Sequence, residues 1–238
     1  MGDNLKIIEA ENVSYRYPDG STGVREINLT ISSGDRVGLI GANGSGKSTL
    51  ILLLAGLVKP TEGKVKIFGK EPDKKNIEEI RRRIGVVFQN PDDFLFNPTV
   101  RDELLYVPRQ LEWEEERLEK VLRNYAEMFR IEQIIDKPPF RLSGGEKKKV
   151  EIASVLIYQP EVLLLDEPTA YVDGKTRRQI MEILTSFDGT IVVATHELNV
   201  AEKLVDKVIL LNLDHRIEAV GGKEILHDTE LLEKAGVL

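Results

Sequence analysis

The feature that most narrows the fold is a glycine-rich loop set between a short apolar run and an apolar, helix-prone one. Arg36–Ile40 reads as a buried strand, Gly41-Ala42-Asn43-Gly44-Ser45-Gly46-Lys47-Ser48-Thr49 follows, and Lys47–Leu57 favours helix. This is the spacing of a phosphate-binding P-loop, with strand before and helix after as that motif requires. Glycines let backbone N–H groups turn inward around phosphate oxygens. The helix that starts near Lys47 points its positive end at the same place. Lys47 can reach the β- and γ-phosphates and the Ser48 hydroxyl can ligate Mg²⁺. Gly41, Asn43, Gly44, Ser45, Gly46, Lys47, Ser48 and Thr49 are therefore candidate nucleotide-binding residues. A plain flexible glycine turn is the alternative, and it explains neither the full motif nor its context.

The rest of the chain fits an α/β core. Leu5–Ala10, Asn12–Tyr17 and Glu26–Ile31 look like short strands around the turn Pro18-Asp19-Gly20. Lys64–Phe68 and Ile84–Phe88 are two more. Val162–Leu165 and Thr190–Ala194 are all apolar, as a sheet covered on both faces requires. Lys207–Asn212 and Arg216–Val220 resemble a hairpin, and from Glu224 onward the pattern is amphipathic and helical. Between Asn90 and about Gln159 the character is helical and charged, interrupted by Pro91, Pro98, Pro108, Pro138 and Pro139. A chain of 238 residues accommodates one such domain with a helical lobe inserted in its middle.

Two further stretches carry chemistry. Val162-Leu163-Leu164-Leu165 delivers Asp166 and Glu167 at a strand's C-terminal end, where ligands sit in open α/β sheets. Asp166 would hold Mg²⁺ through water, and Glu167 could polarise an attacking water as general base. Alone, such a pair also serves as a helix N-cap; beside a P-loop the catalytic reading gains weight. Leu142-Ser143-Gly144-Gly145-Glu146 opens a helix and makes a second anion site from N–H groups, the Ser143 hydroxyl and the helix dipole. As a lone string it could be a capped helix start, and Lys147, Lys148 and Lys149 after it a solvated face.

Taken together, these residues resemble an ABC-transporter nucleotide-binding subunit along nearly the whole chain. The motifs stand in that family's order: Tyr17, the Walker A loop, Gln89, the signature 142–146, Walker B at 162–167, Asp173 and His196. The resemblance implies an α/β P-loop NTPase of the ABC ATPase type: a mostly parallel sheet with helices, an N-terminal antiparallel β subdomain and an inserted α-helical subdomain. It implies a single ABC ATPase domain over 1–238, with 1–89 and 160–222 as RecA-like core and β subdomain, 90–159 as helical insertion and 223–238 as helical tail. It implies ATP and Mg²⁺ as cofactors and ATP hydrolysis coupled to transmembrane transport. Tyr17 matches the aromatic that stacks on adenine, although a strand tyrosine is also ordinary packing. Gln89 matches the residue that contacts Mg²⁺ or water and senses the transmembrane partner, Asp173 the aspartate at the dimer seam, and His196 the switch histidine at the γ-phosphate. As isolated residues these three could be a strand-end polar group, a helix N-cap and an unremarkable strand-end histidine. Glu167, His196 and Gln89 are the catalytic candidates, with Ser48, Gln89 and Asp166 as metal ligands. In this family two subunits pack head to tail, so Ser143, Gly144, Gly145 and Glu146 would serve the partner's nucleotide.

A narrower resemblance lies in Val87-Phe88-Gln89-Asn90-Pro91-Asp92-Asp93, followed by Phe96, Pro98, Thr99 and Val100, and in the ending from Glu224 through Leu231 to Val237. These are similar to the ATPases of energy-coupling factor importers and related cobalt and nickel systems. That implies a second ATPase subunit, identical or different, a transmembrane coupling subunit and a membrane substrate-binding subunit. The cargo would be a vitamin or transition-metal ion and the location the cytoplasmic face of the membrane. The chain departs from the family at Glu146 for Gln, at Glu197 for Asp and at Tyr171-Val172 for a small residue and Leu.

Composition excludes other classes. The net charge of −7 argues against broad binding to nucleic acid. The absence of cysteine removes disulfide and thiolate-metal chemistry and suits a reducing compartment. Leu50–Val58, the longest apolar run, is too short to span a bilayer, and the polar start is no signal peptide, so no direct membrane insertion is expected. A non-transport ABC ATPase is the rival reading, but Ser48 to Asp166 leaves no room for the coiled coil of DNA-organising relatives, and one Walker set is half of what ribosome-acting relatives carry. A regulatory subunit without turnover is the other rival, and the presence of Glu167 and His196 speaks against it.

Overall fold

The computed structural model describes residues 5–238. The chain forms two compact units: the N-terminal stretch to Val86 with Glu161–Glu167 and Phe187–Leu238, and Val87–Pro160 with Pro168–Ser186.

In the first unit, β1 (Lys6–Arg16) and β2 (Thr22–Ser32) pair antiparallel. The two short strands expected over 5–17 are thus one long strand. The reason is a bulge. Asn12 sits at φ 49, its N–H donates to Asn28 Oδ1 at 2.8 Å, and the β1–β2 register shifts between Ala10 and Val13. The extra residue resets the alternation, so Ile8 and Ala10 before it and Val13 after it all reach the core. β4 (Glu62–Ile67) completes a three-stranded sheet on the other edge of β1. It approaches so closely that a Cβ on Gly63 would meet the Asn12 carbonyl oxygen at 2.2 Å.

The main sheet contains β3 (Arg36–Gly41), β5 (Ile84–Val87), β6 (Val162–Asp166), β7 (Thr190–Thr195), β8 (Lys207–Leu211) and β9 (Ile217–Gly221), in the order β5-β6-β7-β3-β8-β9. The pairs β6–β7, β7–β3 and β3–β8 are parallel, and β8–β9 is an antiparallel hairpin. Every residue of β6 and β7 is buried, as their unbroken apolar runs require. Register sets up the site: Ile40 lies opposite Thr195, and Asp166 opposite Ala194. Three C-terminal strand ends are therefore neighbours.

Helix α1 (Lys47–Leu54) stops earlier than its apolar run predicts. Gly56 at φ 67 donates to Leu53, and Leu57 donates to Leu52 at 3.0 Å, so a Schellman turn satisfies the last carbonyls. Leu50, Leu53 and Leu54 are fully buried, each worth roughly 1.5–3 kcal/mol of apolar transfer. The unit also holds α2 (Ile77–Arg83) and α7 (Leu198–Leu204). The C-terminal pattern becomes a 3-10 turn at Lys223–His227 and a short α8 (Thr229–Lys234) that Asp228 caps, rather than one helix.

The second unit is helical: α3 (Val100–Gln110), α4 (Glu115–Phe129), α5 (Gly144–Leu156) and α6 (Gly174–Thr185). α4 buries Leu118, Leu122, Ala126 and Phe129 along one stripe. Its last carbonyls, Phe129 and Arg130, accept from Lys149 Nζ at 3.1 and 3.4 Å, a cation at the negative end of the helix.

Candidate nucleotide site

The first unit gathers the Walker residues. Gly44 and Gly46 have φ 85 and 100, left-handed values that let the loop curl. At Gly46 no other residue fits, since a Cβ would lie 2.1 Å from the Gly23 carbonyl oxygen. The curl turns Lys47 inward: its ammonium is buried and donates to the carbonyls of Gly41 at 2.8 Å and Ala42 at 2.9 Å. Burial pushes this ammonium below its ordinary pKa, against the pull of the Glu167 and Asp166 carboxylates. The Ser45 hydroxyl is fully buried and has no partner among the described residues. A partly desolvated cation and an unspent donor in one loop fit a polyphosphate. Ser48 is exposed and Asp166 stands at the end of β6; both offer the hard oxygens that suit Mg²⁺ and would hold it there.

Tyr17 is partly exposed, stacks edge-on against Tyr15 with ring centroids 5.0 Å apart, and shares a 2.7 Å hydrogen bond with the Thr49 hydroxyl. That bond ties the aromatic expected at adenine to the helix that follows the phosphate loop.

Glu167 is the most constrained residue of the site. It is buried, and its backbone lies at φ 45, a conformation that costs a side-chain-bearing residue energy and is common where function dictates geometry. Its Oε2 accepts from the Thr195 hydroxyl at 2.9 Å, and its Oε1 from the His196 backbone N–H at 3.0 Å. His196 Nδ1 stands 2.7 Å from the same Oε1. A carboxylate only accepts, so Nδ1 is the donor in this contact and Nε2 is left facing away from it. Sequence reasoning names Glu167 and His196 but misses Thr195; its place at the end of β7, one residue before the histidine, was the available signal.

Gln89, Ser143–Glu146 and Asp173 belong to the second unit. Gln89 is exposed just past β5. Ser143 is the N-cap of α5 in a reciprocal capping box. The Glu146 carboxylate accepts from the Ser143 N–H and hydroxyl, both at 2.8 Å, and these bonds hold its pKa below the usual carboxylate value. Glu146 thus does the capping work its Gln counterpart would do. Asp173 is the N-cap of α6. It accepts from the Thr176 hydroxyl and from the N–H groups of Thr176 and Lys175, which together push its carboxyl down to about 2. Beside it, Tyr171 at φ 60 is 88% exposed.

Comparison with known proteins places this arrangement. The family profile described as "ABC transporter" matches residues 24–170, well over half the chain. The chain belongs to the ABC transporter family. A protein of Archaeoglobus fulgidus named as an ABC transporter ATP-binding protein is 78% identical over 238 residues, the full length of both. An energy-coupling factor transporter ATP-binding protein EcfA from Methanocaldococcus jannaschii is 39% identical, over 98% of this chain and 85% of that one. Among solved structures, cbiO1 of Clostridium perfringens, part of the ABC transporter complex cbiONQ, has a TM-score of 0.80 at 34% identity and covers 98% of this chain and 95% of its own. The dimeric cassette MJ0796, in a post-hydrolysis state with ADP and Pi, has a TM-score of 0.82 at 31% identity and covers 91% of this chain and 99% of its own. This ABC ATPase binds ATP with Mg²⁺ and hydrolyses it.

Proposed function

We propose that this ABC ATPase energises an importer of the energy-coupling type for a vitamin or a transition-metal ion, working as one of two ATPase subunits on the cytoplasmic face of the membrane. The observation that carries this reading is the likeness to EcfA and cbiO1, each over 98% of this chain and over 85% and 95% of those proteins. Among the described residues no helix is long and apolar enough to cross a membrane.

The chemistry follows from the site. The P-loop N–H groups and Lys47 bind the phosphates, Ser48 and Asp166 take Mg²⁺, and Tyr17 packs on the base. Held by Ser48 and Asp166, Mg²⁺ would neutralise charge on the phosphate oxygens. Glu167 accepts a proton from the attacking water, and His196, when doubly protonated, donates from its Nε2–H to the γ-phosphate. The signature turn of the partner closes over the same nucleotide with Asp173 at the seam, while Gln89 would meet Mg²⁺ or water and sense the membrane subunits. ATP then favours the closed dimer and hydrolysis removes that preference, which moves the membrane subunits.

The docking face for the coupling subunit lies at Phe96 and Tyr106. Phe96 is 67% exposed, Tyr106 42%, and their rings meet edge to face at 5.1 Å. The buried Glu103 carboxylate accepts from the N–H groups of Phe96 and Asn97 at 3.0 and 2.9 Å and so holds the ring outward. Phe94, equally apolar in sequence, instead packs against Phe88 at 6.0 Å. The test is a Phe96→Asp, Tyr106→Asp variant, expressed together with the coupling and substrate-binding membrane subunits. Its recovery with them should fall roughly tenfold or more, as for loss of an aromatic anchor, with unchanged unfolding temperature and ATP binding. Normal recovery would remove this surface from the interface.

A further inference from the structure

The three lysines after the signature turn do not form a solvated face. Lys147 Nζ pairs with Asp92 at 2.5 Å, Lys149 caps α4, and Lys148 is 1% exposed. Lys148 Nζ donates to the carbonyls of Phe88 at 2.7 Å and Gln89 at 3.1 Å. One turn along α5, Glu151 is fully buried; its Oε1 accepts from the Phe88 N–H at 2.7 Å, and its Oε2 pairs with Lys148 at 2.9 Å. Burial pushes the Glu151 carboxyl up, and Lys148 opposes that.

The two carbonyls that Lys148 holds are those of the peptide groups on either side of the Gln89 Cα. One cation thereby fixes both peptide planes that aim the Gln89 side chain, while Glu151 fixes the plane before them. Stability alone does not call for such a pair, because apolar residues of similar volume in place of a buried ion pair are often neutral or stabilising. What the pair supplies that apolar residues cannot is a set of directed bonds to a segment that leaves a strand for a loop.

We propose that Lys148, oriented by Glu151, is a positioning residue for Gln89, setting from the signature helix the direction in which that side chain meets the nucleotide's Mg²⁺ or water. The proposal rests on the reading of Gln89 given above. Its consequence is that the signature turn and Gln89 are not independent: both are attached to the first two turns of α5, and a tilt of that helix re-aims the glutamine.

Phosphate-release kinetics on the full chain test this with Gln89→Ala, Lys148→Met, the combination of those two, and Lys148→Met/Glu151→Leu. Gln89→Ala should lower kcat. Lys148→Met should lower kcat on the order of tenfold, the scale of a catalytic group slightly misplaced, with KM for ATP changed by less than about twofold. On the Gln89→Ala background the same Lys148→Met change should cost less than about twofold, because groups acting through one another are not additive. Losses that multiply in the combined variant would overturn the positioning role and leave the Gln89 reading intact. Unchanged hydrolysis in Gln89→Ala would overturn that reading and this proposal with it. Lys148→Met strands a buried carboxylate and so risks the fold. Lys148→Met/Glu151→Leu removes that risk and should unfold no earlier than the parent yet show the same loss of kcat. Parental kcat in that folded variant would also overturn the proposal.

Discussion

Glu167→Gln is expected to keep ATP binding and to hydrolyse ATP roughly 10²–10⁴-fold more slowly, the usual contribution of a general base. The geometry makes the substitution clean. A glutamine amide has the carboxylate's shape, and its oxygen can still accept from the His196 N–H that Oε1 now receives. On the other side the amide nitrogen would face the Thr195 hydroxyl, which now donates to Oε2 and can rotate to accept. Asp166 is untouched, so Mg²⁺ and nucleotide remain. What disappears is the proton acceptor, since an amide oxygen in the place of Oε1 keeps the contacts to the His196 N–H and Nδ1 but cannot take a proton from water. With hydrolysis slowed, the closed ATP-bound dimer should accumulate, visible by size-exclusion chromatography with ATP beside a phosphate-release assay. Undiminished hydrolysis would move the base to another residue.

Lys47→Ala is expected to weaken ATP binding roughly 10²-fold or more, since two or more charge-assisted hydrogen bonds to phosphate, each worth about 1.5–3 kcal/mol, are lost together. Folding should survive. The lysine is buried among loop carbonyls, and its burial already works against the charged form. Removing it therefore relieves a desolvated cation while leaving Gly41 and Ala42 short of one donor. Equilibrium nucleotide binding and thermal unfolding, both without ATP turnover, separate the two effects. Near-parental affinity in a folded variant would contradict the assignment of the phosphate loop.

The sequence displayed the parallel core well because its physics is local. Unbroken apolar runs such as Val162–Leu165 and Thr190–Ala194 have few ways to be buried, and the residues that end them, Asp166 and Thr195 with His196, had to emerge at one sheet edge. The bulge at Asn12 was less legible. One residue in a left-handed conformation breaks the alternation without a glycine to announce it, so one strand looks like two. The lysine run was misleading for the opposite reason. Composition marks lysine as solvated, yet its long stem carries the charge to carbonyls far away in sequence, such as those of Phe88 and Phe129. Phe94 and Phe96 differ in nothing a pattern records. Contacts formed in the folded chain separate them: Phe94 packs on Phe88, while Glu103 holds the Phe96 and Asn97 N–H groups and the Phe96 ring faces water.

Helix α5 illustrates a wider outcome. From Val150 to Leu156 every residue is buried, and the three lysines before them are each committed to a partner. A helix that meets solvent on one side tolerates most replacements there, and a saturating substitution screen recovers its 3.6-residue rhythm. α5 should give no such rhythm: intolerance should run continuously from Lys147 to Leu156, with the lysines as restrictive as the leucine. With the signature turn before it equally constrained, substitutions would be confined to the segments beyond Leu156, and the whole stretch from Ser143 to Leu156 would change little over generations.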